Sequence, residues 1–133
     1  MGGRRLKVLL DSGVWWWWAA KSPLKKPLTD FLAHDVTEYW LSPLSVSEML
    51  YKVGHKKLPV PPVANWLDEM LRGYQTAPLS LEAGRIAGSW KWRHGDPIDR
   101  MLAAIALTEG LTLIHTDKVL KELSGFPQIY FPA

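Results

Sequence analysis

The chain has 133 residues, a net charge of +3, 47% hydrophobic and 22% charged residues, and no cysteine. That is one globular domain's worth of chain, able to bury a core without disulfides or structural zinc and far from a disordered composition. Disulfide scaffolds, thiol catalysis, zinc fingers and iron–sulfur clusters are excluded, while the mild positive charge permits a nucleic-acid partner without demanding one.

Met1–Lys7 followed by Val8-Leu9-Leu10 has the outline of a signal-peptide start. Asp11 falls inside the apolar stretch and no small-residue cleavage site follows, so the segment reads as mature protein. Nothing approaches the roughly 18 apolar residues of a membrane span, and no membrane partner is expected. The lack of cysteine suits a reducing compartment, so the expected location is cytoplasmic.

Leu6–Leu10 predicts a first strand, ended by the turn signal Asp11-Ser12-Gly13. A helix follows over about Val14–Lys21. Pro23 and Pro27 read as breaks, with a short helix over Leu28–Ala33. Tyr39–Leu41 is a second strand. Ser45–Val53 is a helix, with Val46, Met49, Leu50 and Val53 on one face. The basic, proline-rich stretch Gly54–Pro62 is a loop. Val63–Leu71 predicts a helix with Val63, Trp66, Leu67 and Met70 on one stripe and Gly73 as its stop. Tyr74–Leu79 is a third, short strand. Ser80 caps a helix to about Trp90, with Glu82 in its first turn. Lys91–Gly95 is a basic loop, and Asp96-Pro97 opens a helix that Gly110 ends. Leu111–Ile114 is a strand, Val119–Leu123 a short helix and Gln128–Phe131 a last strand. This alternation predicts one α/β domain over 1–133, with a central parallel sheet of four to five strands flanked by helices.

The acids fall in a pattern. Asp11 follows the first strand, Glu48 lies early in the helix after the second, and Asp117 follows a later strand. In an open parallel sheet, ligands bind outside the carboxyl ends of the strands. The helix opening at Asp96 can bring Asp99 to the same rim. Each like-charged pair costs about 4 kcal/mol at 4 Å and an effective dielectric near 20. Protonation or a cation must relieve that, and oxygen ligands without cysteine favour Mg²⁺ or Mn²⁺. Singly, each acid has an ordinary reading. Asp11 and Asp117 suit turns or caps, Asp96 an N-cap, and Glu48 a solvated helix face. The weight lies in the joint pattern.

Leu9-Leu10-Asp11-Ser12, Ser42-Pro43-Leu44-Ser45-Val46-Ser47-Glu48, Asp96-Pro97-Ile98-Asp99-Arg100-Met101-Leu102-Ala103 and Leu111-Thr112-Leu113-Ile114-His115-Thr116-Asp117 resemble, in order and spacing, the motifs of PIN domains. The resemblance covers nearly the whole chain and is strongest to VapC-like toxins of type II toxin–antitoxin pairs. It implies a metal-dependent endoribonuclease in which Asp11, Glu48, Asp99 and Asp117 bind Mg²⁺ or Mn²⁺. Asp96 is a fifth nearby acid, and the Ser12 hydroxyl takes the place of a family Thr or Ser near the metal. Gly13 departs from relatives that often carry His there. Such an ion lowers the pKa of water and neutralises phosphoryl charge. Asp99 or Glu48 would accept the water's proton. Arg100, Lys118, Arg93 and Lys52 are candidate RNA-phosphate contacts, Arg100 foremost because it is fixed beside Asp99. The resemblance also implies an antitoxin that covers the acidic site, and a homodimer.

Other residues carry weaker signals. Trp15–Trp18 spans every face of a helical turn, which predicts at least one exposed ring and the others in the core or an interface. Stacking of RNA bases on this run is the lesser reading. His34, His55, His94 and His115 lack paired ligand spacing and read as surface or structural, with His94 and His115 able to lie near the site. Ser42, Ser45 and Ser47 read as caps and turn residues. Phosphoacceptor, haloacid-dehalogenase-like and phosphate-loop readings each lack a required residue: an acidic pair near strand one, an Asp at position 13, or a Gly-Lys-Ser/Thr loop. The remaining alternative is a non-catalytic PIN-like module that binds RNA or protein. The presence of every matching acid argues against it.

Overall fold

The computed structural model describes residues 5–133, so the Met1–Arg4 part of the signal-like run lies outside the described residues. Five strands form its centre: β1 (Leu6–Leu10), β2 (Val36–Leu41), β3 (Tyr74–Thr76), β4 (Thr112–His115) and β5 (Gln128–Tyr130). They lie in the order β3-β2-β1-β4-β5, and every pairing is parallel. The helices are α1 (Ser12–Ala19), α2 (Lys26–His34), α3 (Pro43–Gly54), α4 (Trp66–Leu71), α5 (Leu81–Ser89), α6 (Pro97–Glu109) and α7 (Lys118–Lys121).

Side chains alternate across a strand, and the two faces of β1 feed two cores. Val8 and Leu10 join Trp15, Trp16, Leu28, Leu32, Met49 and Met70 on one side. Leu9 joins Ala83, Ala87, Leu102, Ile105, Leu113 and Leu120 on the other. Both faces being covered, Val8, Leu9 and Leu10 are all fully buried, which explains the unbroken apolar run of a parallel strand.

The tryptophan run divides as its helical geometry requires. Trp15 and Trp16 are buried, and Trp17 is 37% exposed. The Trp15 indole N–H donates to the Met70 carbonyl at 2.9 Å, and Trp16 packs edge-on against Trp15 and Trp66. The run therefore anchors α1 to α4 across the first core.

Prolines account for four of the boundary differences, at α2, α3, α4 and β3. Pro27 was expected to break the chain, but it sits in the first turn of α2, where no backbone N–H is needed. Pro43 likewise opens α3 two residues before Ser45. The helix expected from Val63 starts only at Trp66. The Val63 N–H folds back onto the Pro61 carbonyl at 2.9 Å, and its side chain is exposed instead of joining the buried stripe. β3 ends at Thr76, two residues before Pro78, which has no N–H to extend the ladder. Gly125 is required where it stands: its φ is +103°, and a Cβ would lie 3.1 Å from the Trp90 indole nitrogen. Among the described residues no helix is long and apolar enough to cross a membrane.

Candidate metal centre

The chain winds from β1 outward to β3, then returns to β4 on the opposite side of β1. That reversal leaves a crevice beyond the carboxyl ends of β1 and β4. Asp11 directly follows β1, and Asp117 follows β4 after one residue. The Asp11 N–H donates to the Ile114 carbonyl at 3.1 Å, tying the two strand ends together.

Asp11 is the N-cap of α1, its Oδ1 accepting the Val14 N–H at 2.8 Å. Burial is the main cause that pushes its carboxyl up to about 7. The charges of Asp99, Glu48 and Asp117 raise it further, and the Val14 bond opposes them. Those three coulombic partners are the other acids of the predicted quartet. The fold brings the quartet within electrostatic reach of one another from β1, α3, α6 and the end of β4. Within it Asp99 and Asp117 stand with His94 at ligand spacing, whereas Asp11 and Glu48 do not join that group.

Each acid is held by its own partner. The Ser12 hydroxyl donates to Glu48 Oε1 at 2.5 Å, so the predicted serine touches an acid directly. His94 Nε2 donates to Asp99 Oδ2 at 2.7 Å. Burial again raises the Asp99 carboxyl, the His94 bond lowers it, and the charges of Asp96 and Asp117 raise it. Asp117 caps α7, its Oδ1 accepting the Val119 N–H at 2.8 Å and the Leu120 N–H at 3.3 Å. Its own N–H donates to His115 Nδ1 at 3.1 Å. That assigns the proton to His115 Nε2, which donates to Gln128 Oε1 at 2.6 Å. Burial depresses the His115 pKa, in keeping with a neutral ring.

Asp96 has a different task. It is exposed, and its Oδ1 caps α6 by accepting the Ile98 and Asp99 N–H groups at 2.9 and 3.2 Å. It positions Asp99 by starting the helix that carries it.

The donor set fits a hard divalent cation. His94, Asp99 and Asp117 each offer one ligand atom, all within 4.8 Å of one another. Asp11 is a buried acid whose ionised form is destabilised by burial and by its acidic neighbours, the condition a cation relieves.

The expected basic contacts divide. Arg100 was the foremost phosphate candidate, but its guanidinium is spent on the chain itself. It donates to the carbonyls of Ala87 at 3.0 Å, Trp90 at 2.5 Å, Trp92 at 3.3 Å and His94 at 3.2 Å, and lies over the Trp92 ring. A planar fork of donors gathers a loop in this way where a lysine cannot. The loop so held presents His94 to Asp99. Lys52 lies 4.0 Å from Glu48 Oε2, and Lys118 and Arg93 are exposed.

Of the serines, Ser42 caps α3 as expected, its Oγ accepting the Leu44 N–H. Ser45 is buried with its hydroxyl unpartnered, and Ser47 is exposed on α3. His34 and His55 are exposed as expected, whereas His94 and His115 each brace an acid. The available signal for these two was proximity: His94 precedes Asp99 by five residues and His115 precedes Asp117 by two.

The model of the PIN domain family matches residues 8–125. No curated protein matches the chain. Among solved structures it is similar to VapBC2 from Rickettsia felis bound to a DNA fragment from their promoter, with a TM-score of 0.71 and 18% identity over 95% of this chain and 99% of that one. At that identity the structural likeness bears on the fold. The family match spans all four acids, and the chain belongs to the PIN-domain family of nucleases.

Proposed function

We propose that the chain is a Mg²⁺- or Mn²⁺-dependent endoribonuclease and the toxin half of a type II toxin–antitoxin pair. The single observation that carries this reading is the grouping of His94, Asp99 and Asp117 with ligand atoms within 4.8 Å of one another at the sheet's switch point, with Asp11 and Glu48 in electrostatic reach. Asp11, Asp99, Asp117 and Glu48 would hold the ion. When bound, the ion supplies a water of lowered pKa and neutralises charge on the phosphoryl oxygens.

The chain's own groups do the rest. Ser12 engages Glu48 Oε1 and Lys52 faces its Oε2, while His94 engages Asp99 Oδ2 and leaves Oδ1 to accept the attacking water's proton. The hydrogen bonds restrict rotation of both carboxylates, which lowers the cost of alignment. Lys52, Lys118 and Arg93 offset RNA phosphates around the acidic centre. Arg100 supports the His94 loop instead. The retention of every acid, each with a partner, favours catalysis over a binding-only module. The fold shared with the VapBC2 complex supports an antitoxin as partner, and a homodimer belongs to the same proposal. The reading places both in the cytoplasm.

The test is incubation of antitoxin-free protein with a mixed cellular RNA pool and Mg²⁺ or Mn²⁺, beside EDTA and Asp11→Asn controls. Discrete fragments lost in both controls are the expected result. Uncut RNA with folded, metal-loaded protein would overturn the nuclease reading. Suppression of cutting by the product of a neighbouring small reading frame is the matching test of the toxin role.

A further inference from the structure

We propose that the pocket beside Glu48 is a subsite for one nucleotide of single-stranded RNA next to the scissile bond; this rests on the nuclease reading above. The nucleobase would lie on Tyr51, and a phosphate would meet Lys52 and Lys57. The pocket has a volume of about 430 Å³, within the range of small-ligand sites. Leu44 and Ile98 give it apolar walls, and Glu48 lies at its border with the acidic centre.

Three observations select a nucleotide. The first is Tyr51, which lines the pocket and is 63% exposed. Its ring is braced: the His55 imidazole stacks on it at 3.9 Å between centroids and 27° between planes. The imidazole is itself pinned by a 2.8 Å hydrogen bond between its Nδ1 and the Tyr51 carbonyl. A fixed, exposed aromatic ring is a base-stacking platform, and ordering it costs little further entropy.

The second is the end of α3. Lys56 takes a left-handed conformation with φ +56°, a position usually given to glycine. The chain curls, and the Lys57 N–H bonds back to the Lys52 carbonyl at 2.9 Å. That turn makes Lys57 a wall of the same pocket as Lys52. The same turn closes α1 at Lys21, so it is a helix-ending geometry, and its part here is to place Lys57 beside Lys52.

The third is the distribution of charge. Glu48 marks the pocket's acidic border, whereas Lys52 and Lys57 bring cations to its wall. A nucleotide has matching parts: an apolar, stackable base and an anionic phosphate.

The test uses wild-type protein in EDTA with a dye-labelled pool of short random single-stranded RNA, read by fluorescence anisotropy. Tyr51→Ala should weaken binding by about 10-fold, the scale of one lost base–aromatic stack, and Tyr51→Phe should restore it. Lys57→Ala should reduce the slope of log K against log salt by about 0.7, the value for one single-strand phosphate contact. Tyr51→Ala should leave that slope unchanged. With Mn²⁺ added, Tyr51→Ala should raise KM and shift the preferred base beside the cut, with kcat nearly constant. Circular dichroism melting of each variant shows whether the fold is intact. Cleavage and binding equal to wild type in both alanine variants overturn the subsite while the nuclease reading stands, and leave the pocket to a protein occupant. Wild-type protein that neither binds nor cuts RNA overturns both.

Discussion

The two flanks of the acidic centre hold their carboxylates by different chemistry. On the β1 and α3 side, Asp11 is held by a backbone N–H and Glu48 by the Ser12 hydroxyl. On the α6 and β4 side, imidazoles enter as well: His94 engages the Asp99 carboxylate, and His115 receives the main-chain N–H of Asp117, whose carboxylate accepts the Val119 and Leu120 N–H groups. A serine hydroxyl and a backbone amide do not titrate in the accessible range. An imidazole also needs support of its own, so this flank requires a second layer. Arg100 ties the loop of His94, and Gln128 fixes His115 while donating to the Leu123 carbonyl at 2.8 Å. One flank is complete in a single layer of bonds, one of them joining β1's end to α3, whereas the other needs a second layer behind its imidazoles.

The harshest test of this contrast is Asp11→Asn, which should lower RNA cleavage by about 10³-fold or more while the fold persists. The loss follows from removing several kcal/mol of metal-linked transition-state stabilisation. Single-turnover cleavage with Mn²⁺ would measure it.

The second test concerns the pH dependence of metal-free protein. A carboxyl whose folded pKa is about 7, against 3.8 for the free group, binds its proton more tightly when folded. Its stabilising protonation is complete below pH 4 and is lost as pH rises towards and through 7. Asp11 alone should cost about 4 kcal/mol over that window. Thermal melts in EDTA should therefore fall in Tm from pH 4.5 to 8, and Asp11→Asn should flatten the fall. Added Mn²⁺ should recover stability most at the alkaline end, because it replaces the lost proton. A wild-type Tm that rises over this window would reverse the account of Asp11.

His94→Ala should weaken Mn²⁺ binding by about 10- to 100-fold, the usual effect of losing a group that orients a ligand. Isothermal titration calorimetry would read it directly. Ser12→Ala should have the smallest effect, about 10-fold in cleavage, with Ser12→Thr restoring most of it. If Ser12→Ala proved the more damaging change for metal binding, the contrast between the flanks would be inverted.

Much of the fold was legible because its determinants are local. Leu6–Leu10 is apolar apart from Lys7 and is the central strand. Asp96-Pro97 and Gly110 bracket α6 as a cap, a first-turn proline and a left-handed stop. Val63 misled because its spacing fitted a helical stripe, while Pro61 and Pro62 set the local turn. The acids were legible for a related reason: carboxylates at the ends of successive elements share a rim once the sheet is parallel.

Arg100 shows the opposite case. Beside Asp99 in sequence it resembles a phosphate contact, yet its acceptors run from Ala87 to His94. Its preference is decided by the path of that loop, since buried carbonyls without donors are costly. His115 is similar: its role depends on β5 bringing Gln128 alongside β4.

The amino-acid sequence by itself determined the α/β class, the central strand, the caps of α5 and α6, and the placement of four acids at the ends of successive elements. Periodicity, capping and side-chain chemistry act within a few residues. Tertiary structure decided how high the Asp11 carboxyl is raised, which histidines brace which acids, that Arg100 serves a loop, and that Tyr51 and Lys57 share a pocket with Glu48. Burial, coulombic coupling and hydrogen-bond partners depend on distances through space, and the fold sets these by joining residues far apart in the chain.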